Sequence, residues 1–224
     1  MSTSLADWKG VPAPTVKALE GRFIRLEKLD PVRHADGLFK ALQGPGADPK
    51  LWDYLPYGPF TERHVFEDFL SGFASSSDPC FYTVIDQATD TVDGYLSLMS
   101  IVPAHSRIEI GHVTFGASMQ RTPKGTEAVY LLAKESFALG YRRLEWKCNG
   151  DNARSKRAAE RFGFTYEGTF RQHMVVKGNN RNTAWYSILD SEWVERQNAF
   201  EAWLADDNFI EGQQVKSLEA FRTL

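Results

Sequence analysis

The sequence predicts an α+β fold: one mixed, mostly antiparallel sheet flanked by helices, with a C-terminal helical extension. Three observations carry that prediction. Two amphipathic helical stretches come early, within residues 30–75. Short β-rich segments then follow one another across residues 80–116, separated by polar turns. Strands and helices alternate from there, and two long strands joined by a glycine turn end the pattern near residue 190.

Residues 1–20 hold Trp8, Pro12 and Pro14 and read as an extended N-terminal arm before a main domain over 21–190. The stretch RFIRLEKLD, with Phe23, Leu26 and Leu29 as its heavier apolar positions, is a first strand. Asp30-Pro31 opens a helix through Leu38 and Leu42, and Gly44-Pro45-Gly46 stops it. The loop ADPKLWDYLPYGPF is rich in aromatics and proline. Thr61 reads as the N-cap of a second helix carrying Val65, Phe66, Phe69, Leu70 and Phe73. Residues 80–86 and 93–102 are strands across the turn QATDTV. In the strand at 107–116, alternation puts Ile108, Ile110 and His112 on one face and Glu109, Gly111 and Val113 on the other. A helix from Thr126 to Leu139 ends at Gly140. RRLEWKC is a strand, and Asn152 to Phe162 a helix closed by Gly163. Strands at 164–176 and 181–190 turn at Lys177-Gly178-Asn179-Asn180. In residues 191–224, Trp193, Phe200, Trp203 and Leu204 form one helical stripe. Such a stripe must be covered, either by the domain or by a second copy in a homodimer.

A chain of 224 residues suits one domain with extensions. Hydrophobic residues make up 42% and charged residues 25%, enough to bury a core without staples. A net charge of −3 offers no global attraction to nucleic acid or a membrane surface. No run approaches the roughly 20 apolar residues of a membrane span, and the first residues hold no apolar stretch. Cys80 and Cys148 stand far apart, as reduced thiols do, and form no metal-ligand pattern. A soluble, cytoplasmic protein is expected.

Two segments carry chemistry. MQRTPKGTEAVYLLAKESFALGY joins a strand end to a long helix. Such a junction offers free N–H groups and a positive dipole end, with Arg121, Lys124, Thr122 and Thr126 beside them, all suited to phosphate. Every helix has such an end, so a plain N-terminus with solvated basic residues fits equally. In GDNARSKRAAERFGF, Asn152 or Asp151 suits a helix cap, and Asn152 and Ser155 on one face would let Ser155 give a proton to a leaving group.

Together these segments resemble the GNAT superfamily of N-acetyltransferases, and within it the RimJ/RimL type that acetylates ribosomal-protein N-termini. The resemblance spans residues 21–190. It rests on IEIGHVTFG, QRTPKGTEA, the N-x-x-S of Asn152–Ser155, RFGFTYEGTFRQ and RNTAWYSILDSEW in register. It implies a sheet that splays open near its middle, with acetyl-CoA bound in the gap and coenzyme A leaving as product. Val113 and Phe115 would hold the pantetheine arm. Gln120, Arg121, Thr122, Lys124, Gly125 and Thr126 would hold the pyrophosphate, with Asn152 and Ser155 nearby. Pro123 replaces the first glycine of the family loop and removes one N–H donor. Ser155 matches the proposed proton donor to the thiolate. The family carboxylate after Glu-Gly falls on Met174, which leaves His112, Glu109 and His173 as candidate bases. Trp52, Tyr54 and Tyr57 would wall the amine site by cation–π contact, or else pin their loop to the core. Arg154, Lys156, Arg157 and Arg161 read as a solvated face, with one or two reaching the 3′-phosphate. Cys148 reads as buried core rather than as a nucleophile.

The expected function is transfer of acetyl to a primary amine, on a small molecule or a protein N-terminus. The competing reading is a non-catalytic acyl-CoA sensor or interaction protein. The sequence contains no G-x-G-x-x-G and no phosphate-binding G-x-x-x-x-G-K-[ST] motif.

Overall fold

The fold is organised by a sheet that is zipped at one end and parted at the other. A computed structural model describes residues 5–120 and 122–222. Strands β1 (Ala18–Glu20), β2 (Ile24–Lys28), β3 (Cys80–Asp86), β4 (Val92–Val102) and β5 (Arg107–Phe115) pair antiparallel in sequence order. β6 (Arg143–Asn149) adds to β5 in parallel. The hairpin of β7 (Thr165–Val176) and β8 (Asn179–Leu189) then completes the order β1-β2-β3-β4-β5-β6-β8-β7. β1 lies inside the stretch read as an arm. The rest of that stretch is tied to the loop after β4, where the Trp8 indole donates to the Ala104 carbonyl and the Val11 N–H to that of Pro103.

Helices α1 (Pro31–Gln43) and α2 (Arg63–Ser75) cover one face, burying Leu38, Leu42, Phe66 and Leu70 with Phe81 and Tyr95 of the sheet. Asp30 caps α1 through the Val32 N–H, and proline at the first turn loses nothing there. The Thr61 cap does not form: α2 starts at Arg63, so Glu62 occupies the cap position and Thr61 lies one residue outside it. On the opposite face, α3 (Lys124–Ala138) and α4 (Ala153–Phe162) pack over Ile108, Ile110, Leu144 and Tyr186.

Two charges in the first turns of α3 fix it to the sheet. The Glu127 carboxylate is buried and accepts the backbone N–H groups of Arg22, Phe23 and Ile24 at 2.7, 2.7 and 2.9 Å. Gly21 makes the approach feasible, because a Cβ there would stand 2.5 Å from the Glu127 side chain. Lys124 donates to Asp93 at 2.8 Å and also pairs with Asp86, both carboxylates being buried at the β3–β4 turn.

The C-terminal segment is built onto this frame. α5 (Asp190–Leu204) follows β8 directly and lies on α3, with Trp193 stacked on Phe137 at 4.7 Å and Phe200 against Tyr130. A small hairpin, β9 (Phe209–Ile210) and β10 (Gln213–Gln214), and a short α6 (Leu218–Arg222) follow. Arg222 ties α6 to the end of α4 through the Glu160 carbonyl. Among the described residues no helix is long and apolar enough to cross a membrane.

Candidate active site

The site exists because β5 and β6 stop pairing. They are in register only at Arg107↔Arg143, Ile108↔Leu144 and Glu109↔Glu145, and then diverge. Beyond Glu109 the β5 backbone groups that turn away from β4 have no strand to bond, although they are obligate donors and acceptors. A cleft of about 1600 Å³ opens there, walled by Ile110–Val113 and Phe115 on one side and Trp146–Asn149 on the other.

A β-bulge re-aims the key side chain. Tyr95 pairs with Thr114 but Ser97 with Gly111, so His112 and Val113 together oppose Leu96. His112 takes a left-handed φ of 51°. The simple alternation that would place it with Ile108 and Ile110 therefore fails. Its ring instead stacks on Tyr57 at 5.7 Å and packs beside Phe73 and Phe81, on the α1–α2 face. His112 Nδ1 shares a 2.8 Å hydrogen bond with the Tyr57 hydroxyl. Burial, aided by the positive charge of Arg181, pushes the imidazole down to about 4, so it is neutral at pH 7.

Glu109 stands where the strands part. It is buried and accepts from Ser100 Oγ at 3.1 Å and from Lys147 Nζ at 2.8 Å. Lys147 also contacts Glu145 at 2.8 Å and lies 4.2 Å over the Trp185 ring. Burial raises the Glu109 pKa against the pull of Lys147. His173, farther out on β7, bonds Thr183 through Nδ1 at 3.0 Å.

Across the cleft, the Asn152 side chain caps α4 by accepting the Ser155 N–H at 3.0 Å. Ser155 Oγ accepts from the Trp146 indole at 3.0 Å, and its own hydroxyl lies beside the Cys148 thiol, with which it hydrogen-bonds. Both residues line the cleft. Burial raises the pKa of the neighbouring Cys148, against a nucleophilic role.

At the other end, Gln120, Thr122, Gly125 and Thr126 line the cleft, together with Val113 and Phe115. Among the described residues the first bond of α3 is Glu127 N–H to the Pro123 carbonyl, and the N–H groups of Lys124, Gly125 and Thr126 have no helical acceptor there. Free donors beside a glycine fit a phosphate. Thr122 Oγ1 donates to the Met119 carbonyl, and Arg161 donates to Thr126 Oγ1 while lying over Trp203. The Lys124 side chain, read from the sequence as a phosphate cation, is instead held by Asp86 and Asp93 away from the cleft. Arg121 lies outside the described residues.

The aromatic loop does not form the wall expected of it. Trp52 is 2% exposed and packed edge-on against Phe60 in the α1–α2 core, because its indole is the largest apolar surface the loop can bury. Tyr57 touches His112 but does not itself line the cleft. Only Tyr54 of the three does, and its hydroxyl donates to the Asp151 carbonyl at 3.2 Å. The loop crosses the cleft mouth as a strap. Lys177 holds it at the carbonyls of Trp52 and Gly58, and Arg154 holds it at Asp48. Sequence reasoning missed Lys147, Arg181 and Trp185. Their only signal was period-two spacing on strands whose uncovered face could not be known.

A family model described as "Acetyltransferase (GNAT) domain" matches residues 24–165. A crystal structure of a GCN5-related N-acetyltransferase from Brucella melitensis is 48% identical, covering 97% of this chain and 99% of that one, with a TM-score of 0.95. A probable GNAT-family acetyltransferase from Chromobacterium violaceum is 43% identical over 87% of this chain and 96% of its own, with a TM-score of 0.79. An uncharacterized N-acetyltransferase of Bacillus licheniformis is 25% identical over 152 residues, 66% of this chain and 85% of that protein. The chain therefore belongs to the GNAT family, as an acetyl-CoA-dependent acyltransferase.

Proposed function

We propose that the enzyme moves acetyl to a primary amine by direct attack, the acceptor being a small molecule or a protein N-terminus. The parted sheet carries this reading: a serine hydroxyl and a buried carboxylate line one cleft. Acetyl-CoA supplies an activated thioester when bound.

The chain's own residues have distinct tasks. The free N–H groups of Gly125 and Thr126, with Gln120 and Thr122 beside them, suit the pyrophosphate, and Arg121 joins them by sequence. The unpaired β5 backbone around Val113 and Phe115 suits the pantetheine amides and supplies a donor for the oxyanion. Ser155 gives the departing thiolate its proton. Glu109 takes the proton from the amine, because a raised carboxylate pKa lies nearer the working pH than the depressed value of His112. His112 and Tyr57 shape the floor beneath it.

The RimJ/RimL assignment rests on the sequence motifs. A Salmonella typhimurium acetyltransferase that modifies the N-terminal serine of a ribosomal protein shares the fold, with a TM-score of 0.64 at 21% identity. A microcin self-immunity acetyltransferase, solved with acetyl-CoA and AMP, does so equally at 21%. The test is coenzyme A release with a panel of amines. Turnover on at least one, with an acid limb that follows the Glu109 carboxylate, is expected. Acetyl-CoA binding with no turnover on any amine would favour the sensor.

A further inference from the structure

The outer face of β8 presents Arg181, Thr183 and Trp185 in alternation toward the cleft. The charges nearest the zipped end of this face form a closed set. Glu109 is held by Lys147, Lys147 also by Glu145, and Glu145 by Arg143, which grips Glu167 with two 2.6 Å bonds. Arg181 stands outside that set. Among the described residues its guanidinium makes no ion pair and no hydrogen bond, and its Nε is buried without a partner. Trp185 Nε1, four residues along the same face, is likewise a buried donor with no acceptor. Orphaned donors in a cleft are costly unless a ligand completes them.

Arg181 also has a defined place relative to the chemistry. It faces Met174 across the β7–β8 ladder, two residues beyond Thr183, which pairs with Asn149 at the end of β6. That places it about 7 Å along the strand from Thr183, beyond the last β6–β8 pair and on the cleft lining. It lines the same cleft as His112 and Cys148, and its charge is felt by both. Glu109 and Glu145 lie on the same face. A dianion would meet those carboxylates, whereas a single carboxylate matches one guanidinium fork.

We infer that Arg181 receives a carboxylate on the acceptor, so that the substrates are amines bearing a nearby carboxyl group. This deepens the amine-acetylation reading and rests on it. The shared chemistry has two sources: a free amino acid, or an N-terminus followed by an acidic residue.

The experiment compares matched pairs, β-alanine against β-alaninamide and Ala-Glu-amide against Ala-Gln-amide. kcat/KM is expressed per unprotonated amine, in wild type, Arg181→Gln and Arg181→Lys. The carboxylate member of at least one pair should be preferred by roughly tenfold or more, and which pair shows it identifies the source. The preference should fall toward unity in Arg181→Gln and survive in part in Arg181→Lys. Equal use of both members, or a preference retained in Arg181→Gln, overturns the inference. Calorimetry with N-acetyl-β-alanine and its amide gives a second readout that needs no turnover. If no amine is acetylated, the proposed reaction fails. The inference itself then stands or falls on whether the carboxylate product binds wild type more tightly than Arg181→Gln. Thermal melts of both variants separate loss of binding from loss of fold.

Discussion

The two ends of the cleft use charge in opposite ways. At the phosphate end, the cationic and anionic side chains of the α3 start are engaged by the scaffold: Lys124 with Asp86 and Asp93, Glu127 with three backbone N–H groups. What remains for a ligand there is backbone and hydroxyl. At the end proposed for the acceptor, a neutral imidazole, the Lys147-held Glu109 carboxylate and a guanidinium that is unpaired among the described residues line the same space. A charged residue inside a binding motif is thus not thereby a ligand; what it already holds decides.

The sharpest way to break this comparison is Glu127→Ala. It leaves the buried Ile24 N–H and the part-buried N–H groups of Arg22 and Phe23 without this acceptor, a buried one being worth about 1–3 kcal/mol when orphaned and a part-buried one less. We expect a loss of about 4 kcal/mol in urea unfolding, with part of it recovered in Glu127→Gln. A loss under about 1 kcal/mol would mean that α3 is not anchored through this carboxylate.

Lys124→Met separates the roles next. Burial pushes the Asp86 carboxyl up, but Lys124 and the N–H groups of Thr89 and Ala88 hold it below its ordinary range. A depressed folded pKa stabilises above the unfolded value of 3.8, and that stability is lost as pH falls through the folded value. Removing the cation leaves two buried carboxylates unpaired. A cost of about 3 kcal/mol at pH 7 and a weaker acid-side slope are expected. The acetyl-CoA dissociation constant should change less than about threefold, discounting one screened charge. A tenfold loss of affinity with stability intact would return Lys124 to the phosphate site.

These outcomes also bear on what the sequence could reveal. The order of strands and helices was legible because periodicity and turn residues are local signals. So was the start of α4, because a capping side chain marks it; Gly125 at the cleft came from the family loop motif and not from a local signal. The reversal at His112 was not legible: one extra residue in β5 flips a side chain, and nothing in IEIGHVTF marks the bulge. Nor were the partners of Lys124 and Glu127, which lie 31 to 105 residues away in sequence. Trp52 reads the same from sequence whether it faces a ligand or the core. The β9–β10 hairpin and α6 are too short to show a period.

Ser155→Ala tests the wall opposite the charges. Its hydroxyl acts in the transition state, so kcat should drop about 10- to 100-fold with acetyl-CoA affinity nearly unchanged. Equal losses in both would make Ser155 a binding residue.

Tyr57→Phe gives the smallest effect and the finest test of the acceptor end. The Tyr57 hydroxyl and His112 Nδ1 are 2.8 Å apart and burial keeps the phenol neutral; with Tyr57 as the donor, the imidazole carries its proton on Nε2. That bond favours neutral His112, as burial does. The folded pKa of about 4 lies below the ordinary 6.5, so on acidification the unfolded chain takes up the proton first. Stability therefore falls as pH drops from 6.5 toward 4 and is not affected by His112 above that window. Removing the hydroxyl should cost about 1 kcal/mol at pH 7 and lower kcat/KM a few-fold. It should also move the His112 titration upward, which narrows the window. Histidine NMR titration reads this directly. A wild-type His112 that titrates near 6.5, or one that does not move in Tyr57→Phe, would show that the bulge leaves this ring in water and that it is not the neutral floor of the site.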